Sequence, residues 1–267
     1  MHETPKPFTV HGVTLHSRFF LGSAGYPSPQ VLQEALLASG AQVVTVGLRR
    51  SHASGGDNGF VASVRQALRE RGGQLLPNTA GCRTATEAVA LAHMARELYG
   101  THWIKLEVVG DEHTLQPDPW GTLEAATQLV KDGFAVFPYC TDDLVSAQRL
   151  VDAGCQVLMP WGAPIGSGQG LLNPWALRTL RARLPDITLV VDAGLGLPSH
   201  AAQAMELGFD AVLLNSAVSQ AREPVRMARA FAHAVQAGRL GFEAGAMAPQ
   251  PMAVASTPVT GRPLLIG

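Results

Sequence analysis

Eight short apolar runs alternate with amphipathic stretches along this chain, and that alternation constrains the fold more than any other feature of the sequence. The runs are RFFLG (18–22), QVVTVGL (42–48), QLLPNTA (74–80), HWIKLEVV (102–109), FAVFPY (134–139), CQVLMP (155–160), ITLVVDAG (187–194) and DAVLLN (210–215). Their starts lie roughly 20 to 32 residues apart, the size of one strand followed by one helix. Each run is almost continuously apolar, as parallel strands are when both faces are covered. Helix ends punctuate the intervals. Ser28 before Pro29 and Asn173 before Pro174 read as N-terminal caps, and Thr84 with Glu87 three residues on reads as a capping box. Six of the seven connections from helix to strand hold glycine where a helix must stop (Gly40, Gly72/Gly73, Gly100, Gly133, Gly154, Gly208), and the seventh holds Pro185.

Eight strand-helix units in one chain of 267 residues predict an α/β protein with a single domain, a (β/α)8 TIM barrel over residues 1–267. The competing arrangement is an open doubly wound sheet with the second half as a separate domain. The count of eight and the absence of a linker favour the barrel. Residues 1–17 form an N-terminal extension, expected as a hairpin or a lid over the barrel bottom. Residues 243–267, rich in Ala, Pro and Gly, are expected to be a flexible tail.

Composition excludes several function classes. A net charge of −1 and a pI near 6.8 offer no surface for nucleic acid. No apolar run has the length of a signal peptide core or of a membrane span, so no membrane role is expected. Three widely spaced cysteines (Cys82, Cys140, Cys155) fit reduced thiols in a cytoplasmic protein. Nine histidines form no HxH or HExxH pair, so no metal is expected.

Chemistry in such a barrel is carried at the C-terminal ends of the strands. HWIKLEVV places Lys105 and Glu107 two residues apart, hence on one strand face with Trp103 and Val109. One reading is an internal ion pair. The other is a lysine whose partly desolvated amine has a lowered pKa and attacks carbonyl carbon, with Glu107 beside it as a base. VVDAGLG (190–196) ends a strand in Asp192, either an acid/base group or a helix cap. That loop and LLNSAVS (213–219) occupy the places where barrels bind phosphate, with backbone N–H groups around Ala193, Gly194, Asn215 and Ser216 as the cradle. MPWGAPIGSGQG (159–170) brings four glycines to the same mouth, where backbone approaches a ligand or simply flexes. LRRSHASGGDNGF (48–60) reads as a lid, with Arg49 and Arg50 near a phosphate or merely solvated. Cys82 reads as a core residue before a reactive one.

The motifs SRFFLGSAGYPS, TVGLRR, NTAGCRTATEA, WIKLEVVGD, PDPWGTLEAA, MPWGAPIGSGQGL, VVDAGLG and LLNSAVS together resemble the thiazole synthases of bacterial thiamin biosynthesis over about residues 17 to 245. The resemblance implies a (β/α)8 barrel that joins 1-deoxy-D-xylulose 5-phosphate, iminoacetate and sulfur into the thiazole phosphate. The sulfur comes from a carrier protein bearing a C-terminal thiocarboxylate. It implies that Lys105 forms an imine with the sugar ketone and that Glu107 and Asp192 are the acid/base groups. It places phosphate and sugar contacts on Gly166, Ala193, Gly194, Asn215 and Ser216. It further implies no cofactor for this step and a homo-oligomer. Two departures stand out: Ser216 replaces the usual threonine and keeps its hydroxyl, and SAGYP removes a lysine commonly present in the first loop. Two other readings fit the same residues. A sugar-phosphate aldolase would use the lysine without a sulfur carrier, and a non-catalytic sugar-phosphate-binding barrel would tolerate replacement of Lys105.

Overall fold

The computed structural model describes residues 6–48 and 58–256. Residues 49–57, which hold most of the expected lid with Arg49 and Arg50, lie outside the described residues, as do 1–5 and 257–267.

All eight expected strands are present and close into one parallel barrel. They are β3 (Phe19–Gly22), β4 (Val43–Gly47), β5 (Gln74–Asn78), β6 (Trp103–Leu106), β7 (Ala135–Cys140), β8 (Val157–Pro160), β9 (Thr188–Asp192) and β10 (Ala211–Leu214). Neighbours in sequence are neighbours in the barrel, and β10 pairs with β3 to close it. The doubly wound sheet is therefore not the architecture. Closure divides the core in two. One cluster fills the barrel interior, with Phe20, Val43, Leu76, Trp103, Phe137, Val157, Met159, Val190 and Leu213. The larger one lies between strands and helices. Strand residues alternate between them, as period-two side chains must.

The helices start and stop where their caps stand. Ser28 Oγ accepts from Val31 N–H at the start of Pro29–Ser39, and Asn173 Oδ1 accepts from Ala176 N–H at the start of Pro174–Arg183. Thr84 Oγ1 accepts from Glu87 N–H, while the Glu87 carboxylate reaches back to Arg83 N–H. Gly40, Gly72, Gly100, Gly133, Gly154 and Gly208 all have left-handed φ, which ends each helix without a Cβ penalty.

The N-terminal segment forms an antiparallel hairpin, β1 (Phe8–Val10) and β2 (Val13–Leu15), turning through His11 and Gly12 with positive φ at both. Val10 and Leu15, 1% and 0% exposed, belong to the interior cluster and plug the barrel at its N-terminal end. Gln42 ties the hairpin to the barrel: its side-chain oxygen accepts from His16 and Ser17 N–H, and its amide donates to Arg71 O. Arg18, which donates to Lys6 O and Asp210 O, adds a second tie. The last helix runs Pro224–Ala244, and residues 246–256 are exposed without helix or strand. Among the described residues no helix is long and apolar enough to cross a membrane.

Candidate active site

β6 carries Trp103 into the barrel interior and, two residues on, Lys105. The strand ends at Leu106, and Glu107 continues the inward face just beyond it. Thr79 fixes that bend: its hydroxyl accepts from Glu107 N–H and donates to Glu107 O, both at 2.8 Å. Val109 does not share this face. It leaves the barrel to pair with Pro117 in an isolated bridge, because its N–H is taken by Cys82 O.

Lys105 Nζ lies 2.9 Å from Glu107 Oε1 and 2.6 Å from Asp192 Oδ2. The three side chains are 5%, 7% and 3% exposed. Asp192 is the last residue of β9 and reaches Lys105 across the barrel, so it is not a helix cap; the helix after it begins at Pro198. Burial alone lowers the pKa of an ammonium, but the charges and hydrogen bonds of Asp192 and Glu107 outweigh it and raise Lys105 above the ordinary lysine range. The lowered pKa expected from the sequence is thus reversed, because a second carboxylate arrives from a strand remote in sequence. Asp192 is raised too, by burial first, against the opposing pull of Lys105. The resting group is an ammonium clamped between two carboxylates, with a proton acceptor of raised basicity at contact distance.

Above this floor opens a cavity of about 550 Å³ at the C-terminal mouth. Lys105, Glu107, Gly166, Asp192, Ala193, Gly194, Asn215 and Ser216 all line it. The loop after β9 and the loop 161–170 are stitched together: Gly162 N–H donates to Ala193 O and Gly170 N–H to Gly194 O. The fit is close. A Cβ on Gly194 would lie 2.4 Å from Ala163 Cβ. Ala193 itself has φ 70°, left-handed for a residue with a side chain. On the opposite wall, a Cβ on Gly22 would lie 2.5 Å from Asn215 Cβ, so β3 needs glycine there to seat the asparagine. Asn215 Oδ1 is buried without a partner among the described residues. Beyond it stands the short helix Ser216–Ser219, within the LLNSAVS segment. Lys105 is the only cation among the described lining residues, so an anion here must rest on neutral donors and backbone N–H groups.

Sequence reasoning missed much of the wall: Ser23, Thr45, Asn78, Ile165 and Gln220 also line the cavity. Asn78 had a legible signal, as a polar residue ending an apolar strand. Cys82, Cys140 and Cys155 are all buried in the outer core. Burial pushes the Cys155 thiol up to about 12 and raises Cys140 as well, with Cys155 adding to the latter. Among the described residues no group of His, Cys, Asp and Glu is arranged to hold a metal ion.

A family model for the thiazole biosynthesis protein ThiG matches residues 9–258. The chain belongs to the ThiG family. It is 59% identical over 255 residues to the thiazole synthase of Brucella anthropi, covering 96% of this chain and 98% of that protein. It is 62% identical over 247 residues to the thiazole synthase of Rhodopseudomonas palustris, covering 92% and 94%. Among solved structures it is similar to the Amycolatopsis orientalis BexX/CysO complex, with a TM-score of 0.79 and 32% identity over 95% of this chain and 100% of that one. As a ThiG-family member the chain is an enzyme, a thiazole synthase of thiamin biosynthesis.

Proposed function

We propose that this enzyme condenses 1-deoxy-D-xylulose 5-phosphate, iminoacetate and sulfur from a thiocarboxylated carrier protein through an imine on Lys105. The observation that carries the reading is the Lys105 ammonium held at 2.9 Å and 2.6 Å by Glu107 and Asp192 at the floor of the mouth cavity. An ammonium is not a nucleophile, and a neighbouring carboxylate of raised pKa is the group that takes its proton as the ketone arrives. The iminium at C2 acidifies the C3 hydrogen, and a carboxylate removes it to give an enaminol. Tautomerisation moves the carbonyl to C3, where the sulfur nucleophile attacks. Gly166, Ala193, Gly194, Asn215 and Ser216 hold the sugar phosphate, chiefly through backbone N–H groups. A carrier partner is supported by the similarity to BexX, a protein solved as a complex with CysO. A homo-oligomer in the cytoplasm, with no cofactor for this step, completes the proposal.

Borohydride reduction in the presence of 1-deoxy-D-xylulose 5-phosphate, followed by peptide mass analysis, tests it. The adduct is expected on Lys105; the chain's other lysines are Lys6 and Lys131. No adduct, or one elsewhere, overturns the reading. An aldolase would cleave the sugar phosphate with no carrier present, and a silent barrel would lose nothing on Lys105→Met.

A further inference from the structure

Tyr139 lies on β7 and pairs in register with Met159, one inward position nearer the mouth than Phe137, which pairs with Lys105. Its side chain is 2% exposed, and among the described residues its hydroxyl has no hydrogen-bond partner. Leaving a buried hydroxyl unsatisfied costs about 1–3 kcal/mol, and phenylalanine would fill the same space without that cost. The ring faces Lys105, whose Nζ is 5.6 Å from its centroid. Asp192 Oδ2 lies 2.6 Å from the same Nζ and depends on the ammonium as its partner. A buried hydroxyl donor thus stands unpaired near the ammonium on which Asp192 depends. Burial raises the Tyr139 pKa, and the charges of Asp192 and Glu107, with a lesser one from Cys140, raise it further. The hydroxyl therefore keeps its proton and acts as a donor.

Counting protons on nitrogen gives this arrangement a purpose. The Lys105 ammonium has three N–H groups, enough for Glu107 and Asp192 together. An iminium keeps one. The overall step is balanced: the ammonium and the ketone give the iminium and one water, and the two protons lost from nitrogen leave in that water. Asp192 carries the first of them in transit and is an anion again at the end. One buried carboxylate must then lose its donor. We propose that Tyr139 is a positioning residue that donates its hydroxyl hydrogen bond to Asp192 once Lys105 becomes an iminium, while the remaining N–H stays with Glu107. Asp192 is thereby held ionised and aimed. This inference rests on the imine reading above.

Tyr139→Phe, compared with the intact enzyme, tests it. A hydrogen bond to a charged group is worth a ten- to hundredfold change in an equilibrium, so the fraction of enzyme trapped as imine at a given substrate concentration is expected to fall by about that factor. Thermal stability should hold or rise, since an orphaned hydroxyl is removed. Exchange of the C3 hydrogen with deuterated water gives a readout that packing alone would not move. In Tyr139→Phe its acid limb should shift to higher pH, because Asp192 loses a donor that favours its ionised form. An unchanged trapped fraction with an unchanged exchange profile overturns the role of Tyr139. So does a drop in trapping accompanied by a matching loss of fold. Absence of any Lys105 adduct in the intact enzyme overturns the imine reading and this inference with it.

Discussion

Replacing Asp192 with asparagine keeps the side-chain shape and removes one of the two charges that clamp Lys105. At 2.6 Å the attraction is about 6 kcal/mol for an effective dielectric of about 20, offset by the desolvation of both ions. Breaking one partner of a buried pair typically costs about 3–5 kcal/mol. Lys105 retains Glu107 at 2.9 Å, so the loss belongs at the lower end, about 3 kcal/mol. In a domain of this size that lowers Tm by about 6–12 °C. The chemical consequence separates two ideas. If Asp192 merely suppresses the lysine by holding its proton, Asp192→Asn frees the amine and the imine forms faster. If Asp192 accepts that proton during attack, the imine forms about a hundredfold slower despite a more acidic ammonium. Single-turnover borohydride trapping between about pH 6 and pH 9 reads the rate, and calorimetry confirms the fold. A folded Asp192→Asn protein that traps substrate as fast as the intact enzyme, or faster, refutes the proton-transfer argument.

Three further outcomes follow from the described geometry. Gly166→Ala and Gly194→Ala impose the same left-handed strain of about 1–2 kcal/mol, but only at Gly194 does the new Cβ strike Ala163, adding about 1–3 kcal/mol; equal losses in urea unfolding would contradict this. Leu15→Ala, at a fully buried plug residue, should cost about 2–5 kcal/mol of stability while leaving imine trapping in the cold unchanged. The native state holds the protons of Cys140 and Cys155 beyond the pH at which unfolded thiols lose them. The stability this confers is complete below about pH 8.5 and declines as pH rises, by about 1.4 kcal/mol per pH unit per thiol until the folded thiol ionises. Cys155→Ala should therefore halve the thiol part of that slope between about pH 8.5 and pH 10, as measured by denaturant unfolding.

The barrel was legible because its signals are local. A strand announces itself by an apolar run, and a helix end by Ser28, Asn173 or a left-handed glycine, without reference to any distant residue. The same locality explains why Lys105 and Glu107 were found as an inward pair, and why the glycine loops were placed at the mouth. What was misread depends on closure. The charge state of Lys105 is set by Asp192, which meets it only because β9 and β6 face each other across the interior. Val109 was assigned to the inward face by extending period two past Leu106, where the chain had already turned outward to Cys82 O and Pro117. Tyr139 gave no signal at all, since FAVFPY reads as core and only the orphaned hydroxyl distinguishes it. The tie from Gln42 to His16, Ser17 and Arg71 was equally hidden, as a single polar residue ahead of an apolar run.

The hairpin that seats Val10 and Leu15 in the barrel base has a consequence for traffic. The interior is a blind well, not a conduit, so whatever reaches Lys105 must depart by the way it came. Entry and exit therefore share the single opening at the C-terminal mouth.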